Sequence, residues 1–365
     1  MKILQVGKFY DPYCGGMETV VKNLCHELKD RVDLHLLVAN TSCRTVHEQR
    51  EFPITRVASY GTLRSSSITP SFAAWLRKLP GDIVDLHMPN PVAEVSYLMM
   101  ATDRPLVAHF HSDIVKQRFL LRAYAPFLEA FYARASFIVV PTPNHISKSP
   151  FVSRFQSKCR IVPYGISVAK FDLTAPLSKK VEELRCGRPT ILYVGRLVYY
   201  KGLEYLINAM PELDAQLWIV GSGPLAGELK QLTMQRNVHE KVRFLGEISD
   251  EALPAYYHAC DIFVLPSVAD SEMFGMVQLE AMACRKPVVS TSLPTGVSWV
   301  NQHGVTGLSV LPRDSHALAK AIKKLLDNRS LREEMGEAGR RRVESEFTAV
   351  KMAQGVLEIY RSLVH

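Results

Sequence analysis

Short apolar runs alternate along the chain with stretches whose apolar residues recur every three or four positions. The runs begin at Ile3, Leu34, Ile83, Leu106 and Phe137 in the first half, and each reads as a strand buried on both faces. Between the first two, Met17, Val20, Val21, Leu24 and Leu28 fall on one face of a helix. The alternation breaks at Val162-Pro163-Tyr164-Gly165-Ile166 and in the polar stretch up to Pro189, where Pro and Gly mark a boundary. It restarts with Thr190–Val194, Leu217–Val220, Val242–Leu245, Ile262–Leu265 and Pro287–Val289, and amphipathic helices are expected over 317–326 and 348–364. Strand–helix alternation of this kind predicts two α/β domains, each a parallel sheet covered on both faces. The expected divisions are an N-terminal domain over 1–165, a C-terminal domain over 166–345, and a closing helix over 346–365 that packs back on the N-terminal domain.

Composition narrows the class. The chain has 365 residues, 47% hydrophobic and 22% charged, values for a soluble protein with a full core. No run approaches the ~18 apolar residues of a membrane span, and no secretory signal is evident, so a cytoplasmic location is expected. Seven cysteines without a Cys-x-x-Cys pair fit free thiols in a reducing compartment. Cys14 lies in a glycine-rich loop, as a reactive thiol or a small filler residue. Charge is uneven: residues 1–170 carry 21 Lys and Arg against 13 Asp and Glu, while the rest carry 23 against 23. A basic first half suits an anionic membrane face or a phosphorylated substrate, or is a solvated surface with no partner. No nucleic-acid-binding motif accompanies it, so no nucleic-acid partner is expected.

Ligands of open parallel sheets bind beyond the carboxyl ends of strands, where helix N-termini offer free N–H groups to phosphate. Four segments fit. Gly15-Gly16 precedes the first helix, as a close-approach loop or a plain turn. Gly195-Arg196-Leu197 with Lys201-Gly202 places two cations after a strand, able to clamp a diphosphate or simply solvated. Glu272 and Glu280 lie eight residues apart around Phe274-Gly275-Met276, the first in a loop and the second about two turns into a helix. Val107-Ala108-His109-Phe110-His111-Ser112-Asp113 puts two histidines on one strand face. A third donor of metal-binding spacing is not evident, so no metal is expected, and a His111 facing a cleft is the preferred reading.

These segments together resemble the family 4 glycosyltransferases of the GT-B fold. The resemblance covers essentially the whole length, and its most specific element is Glu-x7-Glu, Glu272 to Glu280. It implies two Rossmann-like parallel-sheet domains facing each other across a cleft, and retaining transfer from a nucleotide-sugar without cofactor or metal. It further implies that Arg196 and Lys201 neutralise the donor diphosphate, Glu280 holds the ribose and Glu272 contacts the transferred sugar. Backbone at Phe274, Gly275 and Met276 takes phosphate or sugar oxygens. Gly246 to Ser249 lies where the family holds the base, His111 near the sugar's reacting face, Gly195 at the diphosphate turn, and Gly16 close to diphosphate and acceptor. Arg285 stands where the family usually has Gly. His111-Ser112-Asp113-Ile114-Val115-Lys116-Gln117 is similar to a subgroup using GDP-mannose in lipopolysaccharide or exopolysaccharide assembly. A hexose, mannose by preference, would then pass to a saccharide acceptor, with domain closure hinged near Tyr164-Gly165.

From Lys116 to Arg134, basic and large apolar residues mix, consistent with docking on an anionic membrane that holds a lipid-linked acceptor, or with a core helix. The competing readings are the same transferase with a UDP-sugar, a nucleotide-sugar 2-epimerase, and a noncatalytic protein that kept the fold.

Overall fold

The computed structural model describes residues 1–13, 15–63, 66–100, 102–113, 118–185 and 187–364, with the side chains of 63 and 118–123 outside that description. The chain forms two compact units: residues Met1–Gly165 with Ala349–His365, and residues Ile166–Thr348.

The first unit contains β1 (Lys2–Val6), β2 (Asp33–Ala39), β3 (Val46–Gln49), β4 (Pro53–Val57), β5 (Thr62–Leu63), β6 (Ser66–Ser67), β7 (Ile83–Met88), β8 (Leu106–Phe110), β9 (Phe137–Val140) and β10 (Cys159–Ile161). Eight of them make one sheet in the order β10-β9-β8-β7-β1-β2-β4-β3, parallel except for the β3–β4 pair, while β5 and β6 form a separate hairpin. β7 is buried along its whole length, as a strand covered on both faces must be. Helix Gly16–Leu28 buries Val20, Val21, Leu24, Cys25 and Leu28 at helical spacing. The last helix, Ala349–Arg361, belongs to this unit and buries Met352, Ala353, Val356, Leu357, Ile359 and Tyr360.

The second unit is a six-stranded, all-parallel sheet. Its strands are β11 (Thr190–Val194), β12 (Gln216–Val220), β13 (Val242–Gly246), β14 (Ile262–Leu265), β15 (Val288–Thr291) and β16 (Gly307–Val310), ordered β13-β12-β11-β14-β15-β16. The order reverses at β11, whose neighbours are β12 and β14. A reversal of this kind opens a crevice at the carboxyl ends of the strands on either side, here β11 and β14. The core joins Ile191, Tyr193, Leu217, Ile219, Ile262 and Val264 from the strands to Leu203, Leu206, Ile207, Ile322 and Leu325 from helices.

Six strands lie outside the apolar runs read from sequence: β3, β4, β5, β6, β10 and β16. β3 is mostly exposed, β10 is three residues long, and β16 lies at a sheet edge with two half-buried positions. The polar stretch before Pro189 contains a helix, Ala175–Leu184, that buries only Val181, so its sequence shows little periodicity. Helix Arg329–Glu346 is similarly polar, with Gly336, Gly339 and Arg340 among its buried residues.

In the basic–apolar segment, Leu128, Phe131 and Tyr132 are core residues and Phe127 is exposed. Lys116 and Gln117 lie outside the described residues, as does Cys14. No helix among the described residues is long and apolar enough to cross a membrane.

Candidate active site

The carboxyl edge of the second sheet gathers most of the residues singled out from sequence. β11 runs into Gly195 and the exposed Arg196, whose carbonyl accepts a hydrogen bond from the Tyr193 hydroxyl at 3.0 Å. A single 3-10 turn, Tyr199–Lys201, then brings Lys201 back under the sheet edge. Gly202 closes that turn at φ +64°, and a Cβ there would lie 2.2 Å from the Pro266 carbonyl, so glycine alone fits. This close approach joins the Lys201 loop to the loop after β14.

Lys201 and Glu272 form an ion pair, Nζ to Oε2 at 2.5 Å, with side chains only 11% and 9% exposed. The Ser267 hydroxyl donates to the same carboxylate oxygen at 2.9 Å, and Thr295 Oγ1 donates to the Glu272 carbonyl at 2.8 Å. Glu272 is therefore fixed from both its ends. Lys201, which the sequence assigns to a diphosphate, and Glu272, assigned to a sugar, are engaged with each other in the ligand-free molecule.

Gly275, at φ +76°, is the N-cap residue of helix Met276–Ala283 and supplies no side-chain cap. The Gln278 N–H donates to the Gly275 carbonyl at 2.9 Å, and the N–H groups of Met276 and Val277, ahead of it in the first turn, are the ones placed to meet an anion. The Phe274 side chain is buried against Phe347, and its backbone carbonyl accepts a hydrogen bond from the Gln278 side-chain amide at 3.1 Å. Glu280, about one helical turn further, accepts a hydrogen bond from Tyr257 at 2.7 Å. Burial pushes the Glu280 carboxyl above its usual range, and the Tyr257 hydrogen bond partly offsets that. Gly246 ends β13 at φ +71°, beside Glu247, which accepts from the Ser222 hydroxyl at 2.5 Å. Ser267, Tyr193 and Tyr257 escaped sequence reasoning because each acts through a partner that only the fold supplies.

The first unit carries a second polar cluster. His109 donates from Nε2 to Asp85 Oδ2 at 2.9 Å, and the Tyr360 hydroxyl donates to the same oxygen. The Gln5 amide, oriented by its partners, donates to Asp85 Oδ1 at 3.2 Å. His111 bonds on both sides, Nε2 to His87 Nδ1 at 2.8 Å and Nδ1 to the Tyr164 hydroxyl at 2.6 Å. The His87, His111 and Tyr164 rings stack in series. Burial drives the imidazoles of His87 and His111 well below the usual histidine range, so both are neutral at neutral pH. With both nitrogens occupied inside its own unit, His111 meets a ligand only by exchanging one of these bonds.

The sequence showed no third donor beside His109 and His111, and here the structure corrects it. Asp85 and His87 on β7 lie beside β8 in register, with His87 opposite His109. Donor atoms of Asp85, His87 and His109 all fall within 4.8 Å of one another. The visible signal was an Asp-x-His on one strand and a His-x-His on another, and strand pairing was the missing piece. The His87 and His109 rings stack 4.5 Å apart, and the buried His87 Nε2 has no hydrogen-bond partner among the described residues. Hydrogen bonds from His109, Tyr360 and Gln5 already use the carboxylate. Asp85 and His109 are held by hydrogen bonds within the core, and His87 Nε2 is the donor atom of the three left open. At the carboxyl edge of the same sheet, Gly16 opens the helix that follows β1; it is exposed, with nothing within 4 Å of the position of a Cβ.

Residues 14–170 match the profile described as Glycosyltransferase Family 4, and residues 175–342 match that of Glycosyl transferases group 1. The chain is 31% identical to the O-antigen chain mannosyltransferase C of Escherichia coli, across 100% of this chain and 99% of that protein. The chain belongs to the family 4 glycosyltransferases. This transferase is also 33% identical to the D-rhamnosyltransferase WbpZ of Pseudomonas aeruginosa, over 95% of its own length and 93% of that protein. Among solved structures, the Anabaena HepE protein in complex with UDP shares the fold with a TM-score of 0.84 at 21% identity, covering 99% of this chain and 100% of that one. The two parallel-sheet, Rossmann-like units are thus those of the GT-B architecture.

Arg285 departs from the family's usual glycine, and the structure shows what that entails. It follows helix Met276–Ala283 at φ +57°, the left-handed region glycine adopts freely. The side chain points outward and pairs with Glu337 at 2.7 Å. Gly336 packs against its backbone so closely that a Cβ would lie 2.1 Å from the Arg285 carbonyl.

Proposed function

We propose that this glycosyltransferase transfers a hexose, mannose from GDP-mannose, to a hydroxyl of a lipid-linked saccharide acceptor in cell-surface polysaccharide assembly, with retention of configuration and without metal. The observation that carries the proposal is the arrangement of Arg196, Lys201, Glu272 and the uncapped N-terminus before Glu280 around one sheet crevice. Two full-length relatives named for mannosyl and rhamnosyl transfer support the sugar class. A partial relative named for GDP-mannose, 34% identical over 55% of this chain, supports the donor.

In this reading the diphosphate draws Lys201 away from Glu272 and takes the N–H groups of Met276 and Val277. Glu272, released, accepts from sugar hydroxyls, and Glu280 accepts from the ribose. The acceptor oxygen attacks the anomeric carbon on the face the leaving group departs from. The carbon–oxygen bond to phosphate breaks through an oxocarbenium-like state, and the acceptor's proton passes to the leaving phosphate oxygen. Arg196, Lys201 and the helix dipole neutralise the charge that develops there. The cytoplasmic membrane face is the proposed working place. The basic first half and the exposed Phe127 are the features that suit it.

Calorimetric titration with GDP, UDP and their mannose and glucose conjugates, in the presence of a chelator, tests this. Binding of GDP and GDP-mannose alone is the expected result. Binding of UDP compounds instead overturns the donor, and binding that requires added metal overturns metal independence. Release of a 2-epimer from donor alone would replace transfer by epimerisation.

A further inference from the structure

The second unit holds a cavity of about 480 Å³ at the end of its sheet opposite the transfer site. Thr190, Asp261 and Pro287 line it, and these stand at the amino ends of β11, β14 and β15. Arg196 and Ser267 follow the carboxyl ends, a strand length of ~17 Å away for five residues. The cavity is therefore separate from the crevice described above.

Six cations line it: Arg185, Arg188, Arg285, Lys286, Arg329 and Arg332. Only Asp261 and Glu333 oppose them within the lining. Asp261 lies 4.0 Å from Arg332, Glu333 pairs with Arg329, and Glu337 at the rim pairs with Arg285. That leaves Arg185, Arg188 and Lys286 without a carboxylate among the described residues. Arg185 and Lys286 both turn to one backbone carbonyl, that of His258, at 3.4 and 3.0 Å. His258 lies in the last turn of helix Leu253–Ala259, so its carbonyl and the helix dipole draw both cations to one place, where each also feels the other. Arg285 adds a second observation: an arginine held in a left-handed conformation, at a turn where glycine would relax, to put one more cation on this rim. Arg329 and Arg332 stand in the first turn of an 18-residue helix, against its dipole. The nearby His258 imidazole is held below its usual range by burial first, and by the charges of Lys286, Arg285 and Arg340 after it. The second half of the chain sums to zero charge, so sequence bookkeeping hides this concentration.

We infer that this cavity is a binding site for a multiply charged phosphate group, distinct from the donor site. Planar guanidinium forks at Arg185, Arg188 and Arg285 suit phosphate oxygens, and the ammonium of Lys286 adds a point charge. The inference does not depend on the donor or acceptor proposed above. The phosphate can arrive free or as a lipid headgroup, and the test separates the two.

Pyrophosphate is titrated calorimetrically into the full chain carrying Arg196→Ala, which weakens the donor crevice. Binding is expected there, and adding Arg188→Glu should weaken it at least tenfold. Arg285→Gly, a change to the family's usual residue, should raise the melting temperature without anion and shrink the pyrophosphate-induced rise. In parallel, phosphatidylcholine vesicles with and without phosphatidylglycerol are floated with the protein. Pyrophosphate binding that Arg188→Glu abolishes assigns a soluble phosphate. Flotation on phosphatidylglycerol that Arg188→Glu abolishes, without pyrophosphate binding, assigns a headgroup. If Arg188→Glu changes neither, the site does not exist.

Discussion

Among single residues, the Lys201–Glu272 pair sets the clearest expectation. Both groups are about nine-tenths buried, so removing one leaves the other charged and desolvated. Lys201→Ala should cost about 3 kcal/mol of second-unit stability, within the range for a broken buried pair. The double change Lys201→Met with Glu272→Gln should recover much of that, because no uncompensated charge remains. Transfer should fail in all of these variants. Denaturant unfolding read alongside a transfer assay checks the split; an inactive but fully stable Lys201→Ala would mean the pair is not formed in solution. Glu272, Lys201, Arg196 and Glu280 were legible in sequence because their spacing around a glycine turn is local. Their partners were not. Ser267 and Tyr257 reach the carboxylates through the loop after β14 and through helix Leu253–Ala259, and no short-range pattern records that.

Two elements carry acids, one buried and one half-buried, whose titration should be visible. Helix Pro91–Met99 begins at Asn90, whose N–H donates to Glu94 at 2.5 Å, and the Tyr124 hydroxyl donates to the same carboxyl group. Burial raises the Glu94 carboxyl to about 7. An acid raised in the folded state binds its proton more tightly there than in the unfolded chain. Folding is therefore favoured at low pH, and that advantage falls away as pH rises from the unfolded value near 4.5 through about 7. The fall should amount to ~3 kcal/mol, since a tenfold change in proton affinity is worth about 1.4 kcal/mol. Glu94→Gln should flatten the pH dependence of first-unit unfolding between about pH 5 and 8; an unchanged slope would remove Glu94 as its source. Helix Met276–Ala283 carries the second acid. Burial raises the Glu280 carboxyl and Tyr257 lowers it, so Tyr257→Phe should raise it further. Donor affinity, which in the proposed function needs the carboxylate to accept from ribose, should then weaken, with its acid limb moved to higher pH. Titrations of donor at several pH values decide this; an unmoved limb would take Glu280 out of ribose binding. The central strands were readable in the sequence because continuous apolar runs mark burial on both faces. β3, β5, β6, β10 and β16 were not, since exposure or brevity erases that mark, and β4 was not, since its buried Thr55 and Arg56 interrupt the apolar run.

Over the full length of the chain, the first unit is discontinuous in sequence: the closing helix expected over 346–365 joins it from Ala349 onward. The sequence breaks at Gly165, and the second unit indeed starts at Ile166, but it ends only at Thr348, after which the chain rejoins the first unit. The reason lies in helix Ala349–Arg361, whose apolar face includes Met352, Val356, Leu357 and Ile359. A Cβ at Gly355 would lie 3.1 Å from Val162, so a side chain there would crowd it, and the Tyr360 hydroxyl reaches the buried Asp85 at the centre of the first sheet. Asp85 thus draws its neutralising donors from β1, β8 and the last helix, elements remote from one another in the chain. Deleting residues 349–365 would uncover that apolar face and take one donor from a wholly buried carboxylate. The truncated chain should lose protection from hydrogen exchange throughout the first unit, including β1 and β7, while β11, β12 and β14 keep theirs. A milder variant, Tyr360→Phe, should keep the helix and destabilise the same unit by about 1–3 kcal/mol, the cost of an acceptor left short of a donor. Exchange measured by mass spectrometry on both proteins separates packing from hydrogen bonding. Loss of protection in the second unit alone, despite its adjacency in sequence to the deleted helix, would show that the two-unit partition is wrong.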